Sequence, residues 1–217
     1  MIICIDGPAA SGKSTIAKLI ANQLGLIYID TGAMYRAVAL CSDNNNISLD
    51  DLPALEEMLS DIFLEFKVLD GERRIFLNGE DVSEAIRTPE ISKLSSAIAT
   101  IKIVREKMVD AQRKLGKENK VILDGRDIGT VVFPHAEYKF FLTASLDERA
   151  RRRLKELQEK GIDSDFEQVK TEMIWRDSND SNRAESPLKK AEDAIEIDTT
   201  EMTIEETANM ILRMINK

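Results

Sequence analysis

Cysteine and histidine are nearly missing from this chain. Cys4 and Cys41 are the only cysteines among 217 residues, no C-x-x-C occurs, and His135 is the single histidine. That scarcity excludes a disulfide framework and a Cys/His zinc site, and it suits a reducing cytoplasm. Long apolar runs are lacking too: none reaches the roughly 18 residues that a bilayer-spanning helix needs, so no membrane association is expected. The N-terminus enters the apolar run Ile2 to Ile5 at once, with no basic leader or cleavage-site pattern, and an unprocessed, soluble chain is expected. Positive charge is in deficit, with 30 Lys plus Arg against 39 Asp plus Glu and a formal charge of −9. This argues against broad nucleic-acid binding and means that any anionic ligand must be held by local positive charge. No internal repeat, low-complexity linker or extended apolar surface pattern stands out, and a monomer is expected.

What is present fits one α/β domain over residues 1–217, long enough for a sizeable core and a small insertion. Short apolar runs at 2–6, 26–30, 121–124, 139–143 and 194–198 read as buried strands of a parallel sheet. Between the first two, Ile16, Leu19, Ile20 and Leu24 share a helical face, and Gly25 follows where a C-terminal cap belongs. Ser145 with Glu148 and Thr203 with Glu206 have capping-box spacing and start helices after the fourth and fifth strands. Strand–helix alternation implies a doubly wound sheet with flanking helices, whose ligands lie beyond the carboxyl ends of the strands. Residues 62–82 break the rhythm, alternating as strands around Asp70-Gly71 and Asn78-Gly79, both hairpin-turn dipeptides. About 62–92 therefore reads as a small antiparallel insertion, either a flap over a substrate or a surface hairpin.

Gly7-Pro8-Ala9-Ala10-Ser11-Gly12-Lys13-Ser14 satisfies the P-loop (Walker A) pattern G-x-x-x-x-G-K-[ST], directly after a strand and before an amphipathic helix. The glycines let backbone N–H groups converge on phosphate oxygens, and the helix N-terminus adds positive potential. Lys13 reaches the β/γ-phosphates and the Ser14 hydroxyl can ligate Mg2+; Thr15 joins this nucleotide-binding set. No N-K-x-D or T-K-x-D guanine-reading tetrapeptide occurs, so ATP is the expected donor. Asp124 ends the apolar run Val121 to Leu123, where a carboxylate could organise magnesium waters. It could equally orient Arg126 or contact the acceptor, and the two roles stand level.

A P-loop alone does not choose the phosphate acceptor. Arg36, Arg105, Arg126, Arg176 and Arg183 recur near the predicted strand edges, and such cations suit clamping a second anion against ATP. The P-loop, the run Asp30-Thr-Gly-Ala-Met-Tyr-Arg36, the run Asp124-Gly-Arg-Asp-Ile-Gly-Thr-Val-Val-Phe-Pro134 and Arg176-Asp177-x-x-Asp180-x-x-Arg183, in that order, resemble the bacterial cytidylate kinases. These are nucleoside monophosphate kinases of the P-loop type, and the likeness runs over nearly the whole chain. The resemblance implies a parallel-sheet core, an inserted monophosphate-binding subdomain that 62–92 would supply, and a short mobile lid at about 153–168. It implies transfer of the γ-phosphate of ATP to CMP, and to dCMP, in pyrimidine nucleotide metabolism.

Residue by residue, the resemblance assigns the acceptor phosphate to Arg36 and Arg126, with Arg176 as third cation. Together with Lys13 these would stabilise the transferring phosphoryl group. Cytosine offers two acceptors and an amino donor, so Arg105 and Ser96 could donate to it and Asp127 could accept. Asp180 and Arg183 resemble the pair at the nucleotide sugar, and Thr31 takes the place of a hydroxyl near the acceptor. Arg149 and Arg153 are four apart, hence on one helix face, and lead into the implied lid; they meet ATP or belong to a charge-laced solvated face together with Arg151 and Arg152. Met173, Ile174 and Trp175 are expected to pack the helix before Arg176 and Cys4 to be a core residue, while Tyr35, next to Arg36, either packs on the acceptor or merely supports it. The alternatives are another small-molecule P-loop kinase and a regulatory module that holds ATP without using it.

Overall fold

The computed structural model describes residues 1–117 and 120–216. The apolar runs become strands because burial on both faces favours continuous Ile, Val, Leu and Phe. The strands are β1 (Ile2–Asp6), β2 (Ile27–Asp30), β3 (Leu64–Leu69), β4 (Glu72–Leu77), β5 (Glu80–Asp81), β6 (Val121–Gly125), β7 (Tyr138–Thr143) and β8 (Ile195–Asp198). The helices are α1 (Lys13–Leu24), α2 (Thr31–Asn44), α3 (Leu52–Asp61), α4 (Pro89–Ile98), α5 (Lys102–Lys117), α6 (Leu146–Glu159), α7 (Phe166–Asn182) and α8 (Ile204–Ile215).

The chain forms two compact units, one of Met1–Tyr28 with the segment from Gly116 onward, the other of Ile29–Leu115. The large sheet has the order β2-β6-β1-β7-β8. β1 is paired in parallel with β6 and with β7, and β7 with β8. Ile3, Cys4, Ile5, Ile122 and Leu123 in the central strands are fully buried. Ile16 and Ile20 of α1 and Ile211 and Leu212 of α8 pack with Ile3, Ile5, Phe140 and Leu142 in one core cluster, against which Leu19 and Leu24 also rest. Gly25 ends α1 in the left-handed conformation, its N–H bonded to the Ala21 carbonyl.

A second cluster of Ala150, Leu157, Val169 and Met173 joins α6 to α7. Of the three apolar residues expected to pack α7, only Met173 does so. Ile174 and Trp175 are 52% and 47% exposed, because consecutive helical positions point about 100° apart and a single turn cannot bury all three. Thr203 and Glu206 form the reciprocal capping box. Ser145 accepts from the Glu148 N–H, but the Glu148 carboxylate turns to Arg151 and Arg152, so this box is half-made.

In the second unit, α2 packs against α3, α4 and β4. The small antiparallel sheet β3-β4-β5 turns at the two expected dipeptides, where φ is 53° and 79° for Asp70 and Gly71 and 50° and 88° for Asn78 and Gly79. Two positive φ values in a two-residue loop match the right-handed twist of the strands.

Candidate active site

In the first unit β1 ends on Asp6 and the chain turns at Gly7, φ 147°. A Cβ there would run into the Leu142 carbonyl oxygen of β7, so the P-loop starts where only glycine fits. Ala9 and Ala10 rest on the α6–α7 cluster. Ser11 is buried and donates to the Pro8 carbonyl at 3.1 Å. Gly12 occupies the N-cap of α1 with no side chain to cap it, leaving backbone donors of the first turn for an anion.

Lys13 is buried, and its Nζ donates to the Pro8 carbonyl at 2.6 Å and to Ser11 Oγ at 3.4 Å. Burial, then the nearby positive charges of Arg126 and Arg176, push its ammonium well below the ordinary lysine range, against the pull of Asp124 and Asp6. Ser14 Oγ donates to Asp124 Oδ2 at 2.6 Å and the Tyr28 hydroxyl to Asp124 Oδ1 at 2.8 Å. The P-loop hydroxyl and the strand-end carboxylate thus share one point, and this pair of hard oxygens fits a magnesium site. Thr15 is exposed on the first turn of α1.

Arg126, one residue beyond β6, donates through Nε to Asp180 Oδ2 at 2.8 Å and through Nη1 to the Gly125 carbonyl at 3.2 Å. Burial opposes its charge, but Asp180 together with Asp124 and Asp177 outweighs burial and holds its guanidinium above the ordinary value. Asp180 is itself buried, which works against its carboxylate. Arg126, Arg176 and Arg183 overcome that and hold it below the usual range. Arg183 Nη2 stands 3.5 Å from Asp127 Oδ1, and its Nε donates to the Ser186 carbonyl at 2.6 Å. Arg126, Asp127, Arg176, Asp180 and Arg183 therefore form one charge network in this unit, with Asp127, Asp180 and Arg183 buried and Arg126 and Arg176 half-buried.

Arg149 donates to the Ala144 and Ala9 carbonyls at 3.0 and 3.3 Å and pairs with Asp177 at 2.7 Å. It therefore braces the P-loop against α7 and is no part of a solvated face. Arg153 pairs with Glu156 at 2.8 Å.

Thr31, Arg36, Ser96 and Arg105 belong to the second unit. Asp30 caps α2 through the Ala33 N–H and its other oxygen takes Arg36 Nη2 at 3.2 Å. Thr31, in the first turn of α2, and Ser96 on α4 are buried. Arg105 is buried, donates to the Ala99 carbonyl at 3.2 Å, and lies over the Tyr35 ring at 5.4 Å. Of the five arginines expected near strand edges, only Arg126 directly follows a strand. Arg36 and Arg105 lie within α2 and α5, and Arg176 and Arg183 within and just after α7, because helices carry these cations on defined faces.

Several further residues of the site have roles that no sequence motif announces. Asp30 orients Arg36. Thr199 accepts from Arg152 Nη1 at 3.0 Å and its hydroxyl stands 3.3 Å from the Ser11 carbonyl, a contact between residues too distant in the chain to leave a local signal. Asp6 accepts from the Ile128 and Gly129 N–H groups at 2.9 and 2.8 Å, and burial raises its carboxyl to about 6. Its only sequence signal was a carboxylate ending a buried strand, the same feature that singled out Asp124.

Among known proteins, the family model for cytidylate kinase matches residues 3–217. The cytidylate kinase of Lactobacillus gasseri is 51% identical over 217 residues, 100% of this chain and 94% of that protein. The cytidylate kinase of Caldicellulosiruptor bescii is 52% identical over 215 residues, 99% of this chain and 95% of that protein. Among solved structures, an uncharacterized protein from Eubacterium ventriosum matches with a TM-score of 0.54 at 13% identity, covering 100% of this chain and 98% of that one. That likeness concerns the fold alone.

Proposed function

The chain belongs to the cytidylate kinase family, and from that footing we infer that it transfers the γ-phosphate of ATP to CMP, giving CDP and ADP. The observation that carries this reading is the meeting of Lys13, Ser14 and Asp124 with the Arg126–Asp180–Arg183 network in one unit. An attacking oxygen of the CMP phosphate forms a bond to the γ-phosphorus as the bond to the bridging β-oxygen breaks, and the electron pair leaves on ADP. The acceptor oxygen is already a nucleophile, so the protein's task is positioning and charge neutralisation. Lys13, with its depressed ammonium, is driven to pair with phosphate oxygens. Arg126, Arg176 and Arg36 supply the remaining positive charge. Ser14 and Asp124 would hold magnesium, which when bound neutralises the β- and γ-phosphate oxygens.

Residues 7–15 are proposed to bind ATP, with Arg149 holding the loop's shape and Arg153 reaching the nucleotide from α6. Thr31, Arg36, Ser96 and Arg105 are proposed to contact the acceptor, as are Arg126, Asp127, Arg176, Asp180 and Arg183. Asp124 serves magnesium in this reading, supported by its 2.6 Å bond to Ser14. Residues 62–92 act as the monophosphate-binding insertion and 153–168 as the lid. The enzyme acts as a cytoplasmic monomer and uses dCMP as well as CMP. No helix among the described residues is long and apolar enough to cross a membrane.

A coupled ADP-release assay across CMP, dCMP, UMP, AMP, GMP and shikimate tests the acceptor. A site that reads cytosine through buried hydrogen bonds discriminates by roughly 10⁴ or more. CMP and dCMP should therefore dominate, and negligible turnover of both beside efficient use of another acceptor contradicts the reading.

A further inference from the structure

We propose that Asp6 is a positioning residue for phosphoryl transfer: its carboxylate caps the loop that carries Arg126 and Asp127 and fixes that loop to the strand leading into the P-loop. This rests on the reading of the chain as a CMP kinase.

Residues Ile128–Val132 form a π-helical turn. The first N–H groups of any helical turn have no acceptor inside it and need one from outside. A local N-cap residue ordinarily supplies it. Here the N-cap residue is Asp127, and its side chain makes no capping bond. Asp6 does the capping from the end of β1, taking the Ile128 N–H at 2.9 Å and the Gly129 N–H at 2.8 Å, one on each oxygen. The consequence reaches two groups. Asp127, relieved of capping, turns its carboxylate toward Arg183 at 3.5 Å. Arg126, between Gly125 in register with Asp6 and the capped turn, is held at 2.8 Å from Asp180.

The cap is also tightly enclosed. A Cβ at Gly129 would stand 3.1 Å from Lys139 Cδ and 3.4 Å from Asp6 Oδ2, so the turn sits close on the carboxylate and a side chain there would press on Lys139 and on the capping oxygen. Asp6 immediately precedes Gly7 in the chain, and one residue thereby joins the backbone of the donor loop to the backbone that bears the acceptor-side cations. An amide side chain of the same shape offers one acceptor oxygen, and its NH2 group would face the second N–H.

Asp6→Asn tests this in the full chain, with steady-state kinetics at a temperature where circular dichroism shows the variant folded. The expected result is a fall in kcat/KM for CMP of at least tenfold while the dissociation constant of ATP, measured by titration calorimetry, stays within threefold of wild type. Unchanged kcat/KM for CMP, or an equal loss of ATP affinity, overturns the proposal. The cap itself is read in the wild-type protein by NMR, as scalar couplings across the hydrogen bonds from the Asp6 carboxylate carbon to the Ile128 and Gly129 amide nitrogens. Absence of both couplings also overturns it, and this readout stands if Asp6→Asn fails to fold. If wild type shows no CMP turnover, the functional reading fails while the couplings persist, so the two failures are distinguishable.

Discussion

Lys13 and Asp6 are both buried charged groups whose burial opposes their charge, and such groups are kept for function more readily than for stability. Lys13 donates to the loop's own Pro8 carbonyl, a weak match for an ammonium crowded by Arg126 and Arg176. Lys13→Met should therefore lower kcat by on the order of 10² to 10³, while the melting temperature does not fall. Retained turnover would remove Lys13 from the transfer step, and a large drop in melting temperature would make its role structural. For Asp6 the sign follows from linkage. Its folded value of about 6 lies above the ordinary aspartate value, so between about pH 4 and pH 6 the native state binds more protons than the unfolded one. The contribution of Asp6 to stability is then fully present at acid pH and declines as pH rises through that window, by roughly 2–3 kcal/mol. Asp6→Asn cannot titrate. The stability of wild type relative to the variant, from urea midpoints at several pH values, should fall from pH 4 to pH 7, and a flat or rising difference would contradict this.

At the scale of elements, the two helix starts make unequal use of similar sequences. Thr203 and Glu206 exchange both capping bonds, whereas Ser145 makes a single bond of 3.3 Å and Glu148 serves Arg151 and Arg152. Thr203→Ala should cost about 1 kcal/mol, a drop of about 2–4 °C in melting temperature for a chain of this size, and Ser145→Ala roughly half that. Equal losses in differential scanning calorimetry would show that the reciprocal bond adds nothing. The strands, both hairpin turns and the P-loop were legible because each depends on neighbours in sequence: continuous apolar runs, Asp-Gly and Asn-Gly pairs, and a spaced glycine motif. The Arg126–Asp180 pair and the Asp6 cap were not, since they join residues far apart in the chain through backbone and side-chain geometry that no local pattern encodes. Trp175 and Ile174 were misplaced for a related reason: their apolar character is local, but which helical face is covered depends on the partner helix.

For the whole molecule, the excess of acidic residues and the concentration of arginine around Asp180 point the same way. The chain carries a net charge of −9 and gives no general attraction for phosphates, so the binding of two phosphate-bearing ligands has to come from the cations that this network gathers. The acceptor run Asp124 to Pro134 and the closing Arg176 to Arg183 carried the acceptor identity in sequence, and the match of residues 3–217 to the cytidylate kinase model agrees with it. What the P-loop could not decide is whether ATP is hydrolysed or its phosphate passed on. The most direct test is 31P NMR of the protein with equimolar ATP, CMP and Mg2+. The γ-phosphate signal of ATP should decline as the β-phosphate signal of CDP grows one for one, with no orthophosphate. Release of orthophosphate without CDP, or an unchanged ATP spectrum, would contradict it.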